Sequence, residues 1–180
     1  ITKKNKLKKC IQKPFKYVVN LGGYVEHSNK KKTFQSHYNG CKNLTEIFLK
    51  KLPIAFVQIG SSGEYGALKS PQNESSKCNP KSIYGQAKLL ATKHLIQLFK
   101  KKKFPCTILR LYQVYGPYQD FNRFIPITIK ACIKNKRFPC STRTQSRDFI
   151  HVNDVILAIL KTLKSEKSRG QIINIGTGKS

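Results

Sequence analysis

The chain of 180 residues contains no methionine and no tryptophan, and only 8 acidic residues stand against 35 Lys and Arg, a formal charge of +27. Translation begins at Met whereas this sequence begins at Ile1, so the expectation is either a processed chain or a piece of a longer protein. Long apolar runs are absent too: the longest, Val155 to Leu160, covers six residues, where a membrane helix needs about 20. No apolar segment follows the basic N-terminus, as a signal peptide requires. These absences predict a soluble, cytoplasmic protein that does not engage a membrane. Among six cysteines there is no C-x-x-C pair, which argues against a zinc ribbon or a dithiol redox site. The cysteines are read as reduced small hydrophobes, and no metal is expected.

Lys supplies 29 of the 35 cations, whereas bidentate recognition of phosphates and base edges favours Arg. The lysines fall in short clusters, Lys3 to Lys9, Lys30 to Lys32 and Lys100 to Lys103, spread along the whole chain. A solvated surface is therefore expected in place of a specific nucleic-acid groove, with salt-sensitive adherence to polyanions. Leu, Ile, Val and Phe make up 50 of the 180 residues, above the ~20% below which a highly charged chain stays disordered. The chain should fold.

Strand-like runs alternate with helical ones. Tyr17 to Leu21 ends at Gly22-Gly23, Ile54 to Ile59 at Gly60-Ser61-Ser62-Gly63, and Ile172 to Ile175 at Gly176, while Cys106 to Leu111 runs into Gln113 to Pro117. Apolar residues at three- and four-residue spacing predict helices over roughly 34–51, 80–103, 124–134 and 153–163. Continuous apolar strands alternating with helices predict an α/β fold, a doubly wound parallel sheet covered on both faces. In such sheets the site lies at the carboxyl ends of the strands, where this sequence sets its Gly and Ser clusters.

Tyr84 and Lys88 are four residues apart on a predicted helix and so share a face. A tyrosine serves as general acid or base when a neighbouring cation stabilises its phenolate. The spacing alone decides little, since Tyr38 with Lys42 and Tyr65 with Lys69 repeat it. What distinguishes Tyr84 is the preceding strand end with its hydroxyls Ser61 and Ser62. Ser, Tyr and Lys together can hold a carbonyl or alkoxide oxygen, move its proton and leave its carbon free for hydride transfer.

Seven segments in order resemble the extended short-chain dehydrogenases/reductases, specifically the NAD-dependent nucleotide-sugar epimerase/dehydratase group. Val18 to Gly23 resembles the cofactor-lining strand end, His37 to Leu44 the Asn-x-x-Gly-Thr-x-Asn-Leu helix, and Gly60 to Gly66 the serine strand end. Tyr84 to Lys88 resembles the catalytic motif, Arg110 to Pro117 the stretch after the next strand, Arg147 to Val155 the Arg-Asp-Phe-Ile-His-Val-Asp-Asp signature, and Asn174 to Gly178 the strand end after it. The resemblance implies a Rossmann-like sheet truncated at both ends. Residues 15–120 would form the C-terminal part of the NAD-binding domain, 121–146 a segment of the substrate domain, and 147–180 the return to the sheet.

The same resemblance implies the roles. Tyr84 would be the acid/base at the sugar hydroxyl, Lys88 would hold the nicotinamide ribose and lower the tyrosine pKa, and Ser61 would be the catalytic hydroxyl, with Ser62 as second candidate. Leu21, Gly22, Gly23, Asn39, Tyr112 and Val114 would line the cofactor, which is NAD with NADP as the alternative. Gln113 and Arg147 would meet the substrate, a nucleotide-diphosphate sugar, the arginine pairing with the diphosphate. Asp148 and His151 are read as a turn-fixing carboxylate and a satisfied half-buried imidazole. A homodimer through the Tyr84-containing helix is implied as well.

Departures from the pattern narrow the reaction. Where the dehydratases carry an acidic pair or Ser-Glu after the catalytic hydroxyl, this chain has Ser62 and Gly63, and Glu64 falls one place late. The expectation is 4-epimerisation or 4-keto reduction, with 4,6-dehydration as the alternative. Gln113 replaces a common Asn, and Ser141 to Thr144 stands where a Gly-rich loop is usual. Neither the Gly-x-x-Gly-x-x-Gly turn nor an acidic partner for the adenine ribose occurs. Three strands upstream and most of the substrate domain downstream are expected to lie outside this sequence, leaving an open sheet edge. An inactive fragment and a lysine-rich polyanion-binding protein are the competing readings.

Overall fold

The computed structural model describes residues 1–140 and 146–179; Ser141 to Thr144, read above as replacing a Gly-rich loop, lie outside the described residues. A short helix α1 (Lys4–Cys10) leads into strand β1 (Tyr17–Asn20). Next come α2 (Lys30–Phe34), a π turn (Gln35–Asn39) and α3 (Gly40–Phe48), one continuous helical path. Strand β2 (Ala55–Ser61) passes through a 3-10 turn (Ser62–Glu64), and the long helix α4 (Ile83–Lys102) leads to β3 (Cys106–Leu111). After them follow β4 (Gln113–Tyr115), α5 (Phe124–Ile133), β5 (Phe149–His151), α6 (Val152–Lys164), a 3-10 turn (Glu166–Ser168) and β6 (Ile172–Ile175).

The main sheet has the order β1-β2-β3-β6 with every pairing parallel, as the alternating pattern predicts. Phe56, Cys106 and Ile108 point one way into a cluster with Cys41, Leu44 and Phe48 of α3 and Ala91 and Leu95 of α4. Their strand neighbours Ala55, Val57, Thr107 and Leu109 are equally buried, and α6 packs on β2 and β3. Both faces of the two central strands are thus covered, which accounts for their continuous apolar character. Helix α4 is well delimited: the Ser82 hydroxyl accepts from Gly85 N–H at 3.1 Å at its start, and Lys103 closes it in the left-handed region, φ 53°. The lysines of its last turn, Lys100 to Lys102, face the negative end of the helix dipole.

Two features differ from expectation. The helix expected over 34–51 starts one turn earlier and carries a π turn, which shifts the register of everything between Phe34 and Gly40. Gln113 to Tyr115, expected only as a turn, pairs in parallel with Phe149 to His151 in a separate two-stranded sheet. Strands of three residues are too short for period-2 alternation to register. The cysteine reading holds for two of six: Cys41 and Cys106 are buried core residues, their thiols pushed up to about 12 chiefly by burial. Cys10, Cys132 and Cys140 are exposed and Cys78 is half-buried, all of them free thiols. Among the described residues no helix is long and apolar enough to cross a membrane.

Candidate active site at the carboxyl ends of the sheet

A cleft of about 1520 Å³ opens where β2, β3 and β6 end, and Ser61, Ser62, Tyr84, Tyr112, Gln113, Val114 and Arg147 all line it. The small parallel sheet brings the last four together, since Gln113 N–H donates to the Asp148 carbonyl at 3.0 Å and so draws Arg147 to the turn after β3. Asp148 itself accepts from Thr177 N–H, Thr177 Oγ1 and Gly178 N–H, each at 2.8 Å. Burial opposes its charge, but these donors outweigh it and hold the carboxyl below the usual range. The His151 Nδ1 accepts from Asn153 N–H at the start of α6, so both side chains are hydrogen-bonded to backbone.

Tyr84 is carried to the strand ends by the close approach of α4 to the turn after β2. A Cβ on Gly85 would lie 2.5 Å from the Gly63 carbonyl oxygen, so glycine after the tyrosine is what lets the helix sit there. The Tyr84 phenol is pushed up by burial, with Glu64 adding to the rise, while the Ser61 hydroxyl and the charge of Arg123 act against it. Arg123 is thus a cation near the phenol that the sequence did not suggest. Lys88 lies under the cleft, 6% exposed; its Nζ donates to the Ile59 carbonyl at 2.8 Å and stands 5.7 Å from the Tyr84 ring centroid. Burial pulls its ammonium down to about 8, against the opposing pull of Glu64 and Cys41.

The other residues expected at the cofactor divide. Gly22 and Gly23 line a second, smaller cleft of about 560 Å³ with Tyr24, Lys32, Gln35 and Ser36. Their missing side chains make room for protein: a Cβ on Gly22 would meet Ile1 Cδ1 at 2.5 Å, and one on Gly23 would meet His37 Cε1 at 2.3 Å. Leu21 is 72% exposed, and Asn39 is exposed on the far side of the π turn. In that turn it is His37 that faces the site, its ring edge-on to Tyr84 with centroids 5.0 Å apart. His27, from the loop after β1, stacks on the Tyr84 ring at 4.2 Å and 20°. His27, His37 and Arg123 thus gather around Tyr84 as well. For His37 the signal was available, because it occupies the first position of the Asn-x-x-Gly pattern; nothing local marks the other two.

Residues 1–176 match the NAD dependent epimerase/dehydratase family. The chain belongs to that family. It is 34% identical over 125 residues to the dTDP-D-glucose 4,6-dehydratase of Bos taurus, an overlap of 68% of this chain and 35% of the relative. It is 25% identical over 170 residues to the dTDP-6-deoxy-L-talose 4-dehydrogenase (NAD(P)(+)) of Kitasatospora kifunensis, 89% of this chain and 53% of that protein. The fold superposes with a TM-score of 0.90 on the UDP-glucose 4-epimerase of Thermotoga maritima solved with UDP-glucose, at 22% identity over 99% of this chain and 61% of the other. The chain thus spans between about a third and three fifths of these relatives.

Glu64 has no exposure at all: the 3-10 turn directs its carboxylate under the strand end, where Arg110 Nε donates to it at 3.0 Å. It does not line the cleft beside Ser61. His37 carries a pH signature. Burial first, and then the charge of Lys88, lower it to about 4 against a hydrogen bond to the Tyr24 carbonyl, compared with about 6.5 in an unfolded chain. Between these values the unfolded chain binds a proton that the folded one does not, so stability falls as pH drops from 6.5 toward 4. His37→Gln in the full-length protein is expected to flatten that part of a plot of urea midpoint against pH; a plot of unchanged slope would remove His37 as its source.

Proposed function

We propose that the full-length protein transfers hydride at C4 of a nucleotide-diphosphate sugar, as an epimerase or 4-keto reductase. The grouping of Ser61, Tyr84 and Lys88 at the sheet mouth supports the chemistry, and the burial of Glu64 supports the choice of reaction. Elimination of water needs a carboxyl group facing the sugar beside the catalytic hydroxyl; here Ser62 and Gly63 follow that hydroxyl, and the nearest carboxyl, Glu64, is turned inward and paired. The relatives named as a 4-epimerase and a 4-dehydrogenase act at the same carbon.

The residues fit the nicotinamide-ribose end of a dinucleotide: the strand end from Gly60 to Gly63 carries nothing larger than a hydroxymethyl, and a phenol, a hydroxyl and an ammonium converge beside it. Tyr84, Lys88, Ser61, Tyr112 and Val114 would hold that end of NAD or NADP. Bound nicotinamide supplies the hydride acceptor and donor. Tyr84 takes the proton of the C4 hydroxyl as the alcohol becomes a ketone and returns it in the reverse step. Ser61 donates a hydrogen bond to the same oxygen, which favours the charge that develops there. Lys88 supplies positive charge beneath the phenol, and Arg147 suits the diphosphate as a planar bidentate donor. A second copy of the chain is the expected partner, docked against α4, where Leu90 is 37% exposed.

Product analysis tests this directly. The full-length protein, supplied with NAD or NADH and nucleotide-diphosphate hexoses or their 4-keto forms, is expected to yield C4-inverted or C4-reduced sugar with its C6 hydroxyl intact by NMR. Appearance of a 4-keto-6-deoxy sugar from a hexose would identify the reaction as dehydration instead.

A further inference from the structure

The Glu64 carboxylate gathers donors from three separate parts of the fold. Oε1 accepts from the Ser61 backbone N–H at 3.0 Å, and Oε2 accepts from the Thr92 hydroxyl at 2.9 Å and from Arg110 Nε at 3.0 Å. Ser61 ends β2, Thr92 belongs to α4 and Arg110 belongs to β3. Tyr84, Lys88 and Thr92 follow one another at four-residue intervals, so they descend one face of α4. Lys88 reaches the Ile59 carbonyl of β2 at 2.8 Å, and Thr92 reaches Glu64 one turn below. Two adjacent turns of the helix therefore grip the same strand end at two points. Packing alone does not call for such an arrangement, because an aliphatic side chain fills a buried space without having to compensate a charge.

We propose that Glu64 is a positioning residue of this site, tying the Ser61 strand end to the helix that carries Tyr84 and Lys88 so that the three keep one relative placement. The hydride-transfer reading supplies what the three groups do; the tie itself stands on the hydrogen bonds alone.

The electrostatics of the pocket run the same way. The groups facing Lys88 are Tyr84 on its own helix, Glu64 from the end of β2, Cys41 and His37 from the α2–α3 segment, and His27 from the loop after β1, with Arg110 of β3 paired to Glu64. Burial lowers the Lys88 ammonium, and Glu64 is the largest influence opposing it. On Tyr84, burial raises the phenol, Ser61 lowers it, Glu64 raises it and Arg123 lowers it. Neutralising position 64 thus moves both ionisations to lower pH. Lys88 would then lose its charge closer to neutrality, and the phenolate would form more easily.

The test uses Glu64→Gln and Thr92→Val in the full-length protein, each also combined with Tyr84→Phe. The ultraviolet phenolate difference between a protein and its Tyr84→Phe counterpart isolates the Tyr84 titration from the other tyrosines. In Glu64→Gln this titration is expected to move to lower pH, and kcat to fall about tenfold, the factor carried by one charge-assisted hydrogen bond, with KM for the sugar little changed. Thr92→Val leaves the ion pair with Arg110 in place and removes only the helix side of the tie. It is expected to raise hydrogen exchange at the Ser61 amide about tenfold, the cost of one lost hydrogen bond.

A Tyr84 titration unmoved by Glu64→Gln, or Ser61 exchange unmoved by Thr92→Val, overturns the proposal. If Glu64→Gln does not fold, the exchange measurement decides alone. Absence of turnover in the parent protein would count against the hydride-transfer reading, while the titration and exchange results would still judge the tie.

Discussion

Replacing Tyr84 with phenylalanine in the full-length protein is expected to lower kcat on the nucleotide sugar by about 100- to 10,000-fold, the range that a positioned general acid/base contributes. The ring itself is held by contacts the substitution leaves intact: it stacks on His27 at 4.2 Å, meets His37 edge-on at 5.0 Å, and sits at the start of a helix whose cap belongs to Ser82. Only the hydroxyl is lost, so a drop in turnover cannot be charged to a collapsed site. Because the phenol acts on the proton in flight and contributes little to holding the nucleotide, kcat should carry the loss and KM should stay near the parent value. Ser61→Ala is a less clean experiment, since the Ser61 Oγ also accepts from Gly63 N–H at 3.1 Å and caps the 3-10 turn. Retention of full turnover by Tyr84→Phe would dismiss the tyrosine as the acid/base.

The comparison of tyrosine-lysine pairs shows what the sequence could and could not deliver. Lys42 stands 5.7 Å from the Tyr38 ring centroid, the same separation as Lys88 from Tyr84. Helical spacing therefore creates the contact wherever it occurs, and only the neighbouring strand end makes one pair a candidate for catalysis. That strand end was legible because buried parallel strands are continuous apolar runs that stop at Gly and Ser. Glu64 was legible as a departure from pattern but not in its destination. Which way a carboxylate points after a strand depends on the turn that follows, and a single 3-10 turn has no periodicity to read. Of the π turn's residues, Asn39 is exposed while His37, two positions earlier, is buried against Tyr84, a difference that no helical period predicts. His27 and Arg123 come from loops nearly 100 residues apart in the sequence. Their meeting at Tyr84 is a product of tertiary folding that no local pattern encodes.

Arg110→Met is the substitution expected to cost the most stability, about 3–5 kcal/mol, because it strips the buried Glu64 carboxylate of the cation bonded to it. The arginine side chain is 2% exposed, its guanidinium carbon lies 4.6 Å from the Tyr65 ring centroid, and its Nη1 is buried with no hydrogen-bond partner among the described residues. Methionine approximates its length and can fill the space over Tyr65, so the loss is of charge far more than of packing. The Ser61 N–H and the Thr92 hydroxyl remain as donors to Glu64, but two neutral donors do not replace a cation in a medium that screens poorly. Adding Glu64→Gln should recover most of the stability, since a buried pair replaced by neutral groups of similar volume is often no worse than the pair itself. Urea denaturation of the parent, the two single variants and the double variant of the full-length protein closes the cycle. Strong coupling is expected, and simple additivity would mean that the two side chains do not depend on each other. Recovery in the double variant should stop at stability: glutamine sets an NH2 donor where the carboxylate had one of its two oxygens, so in the Glu64 geometry either the Ser61 N–H or the Thr92 hydroxyl loses its acceptor. A well-folded double variant with depressed turnover would therefore separate what the ion pair does for the fold from what Glu64 does for the site.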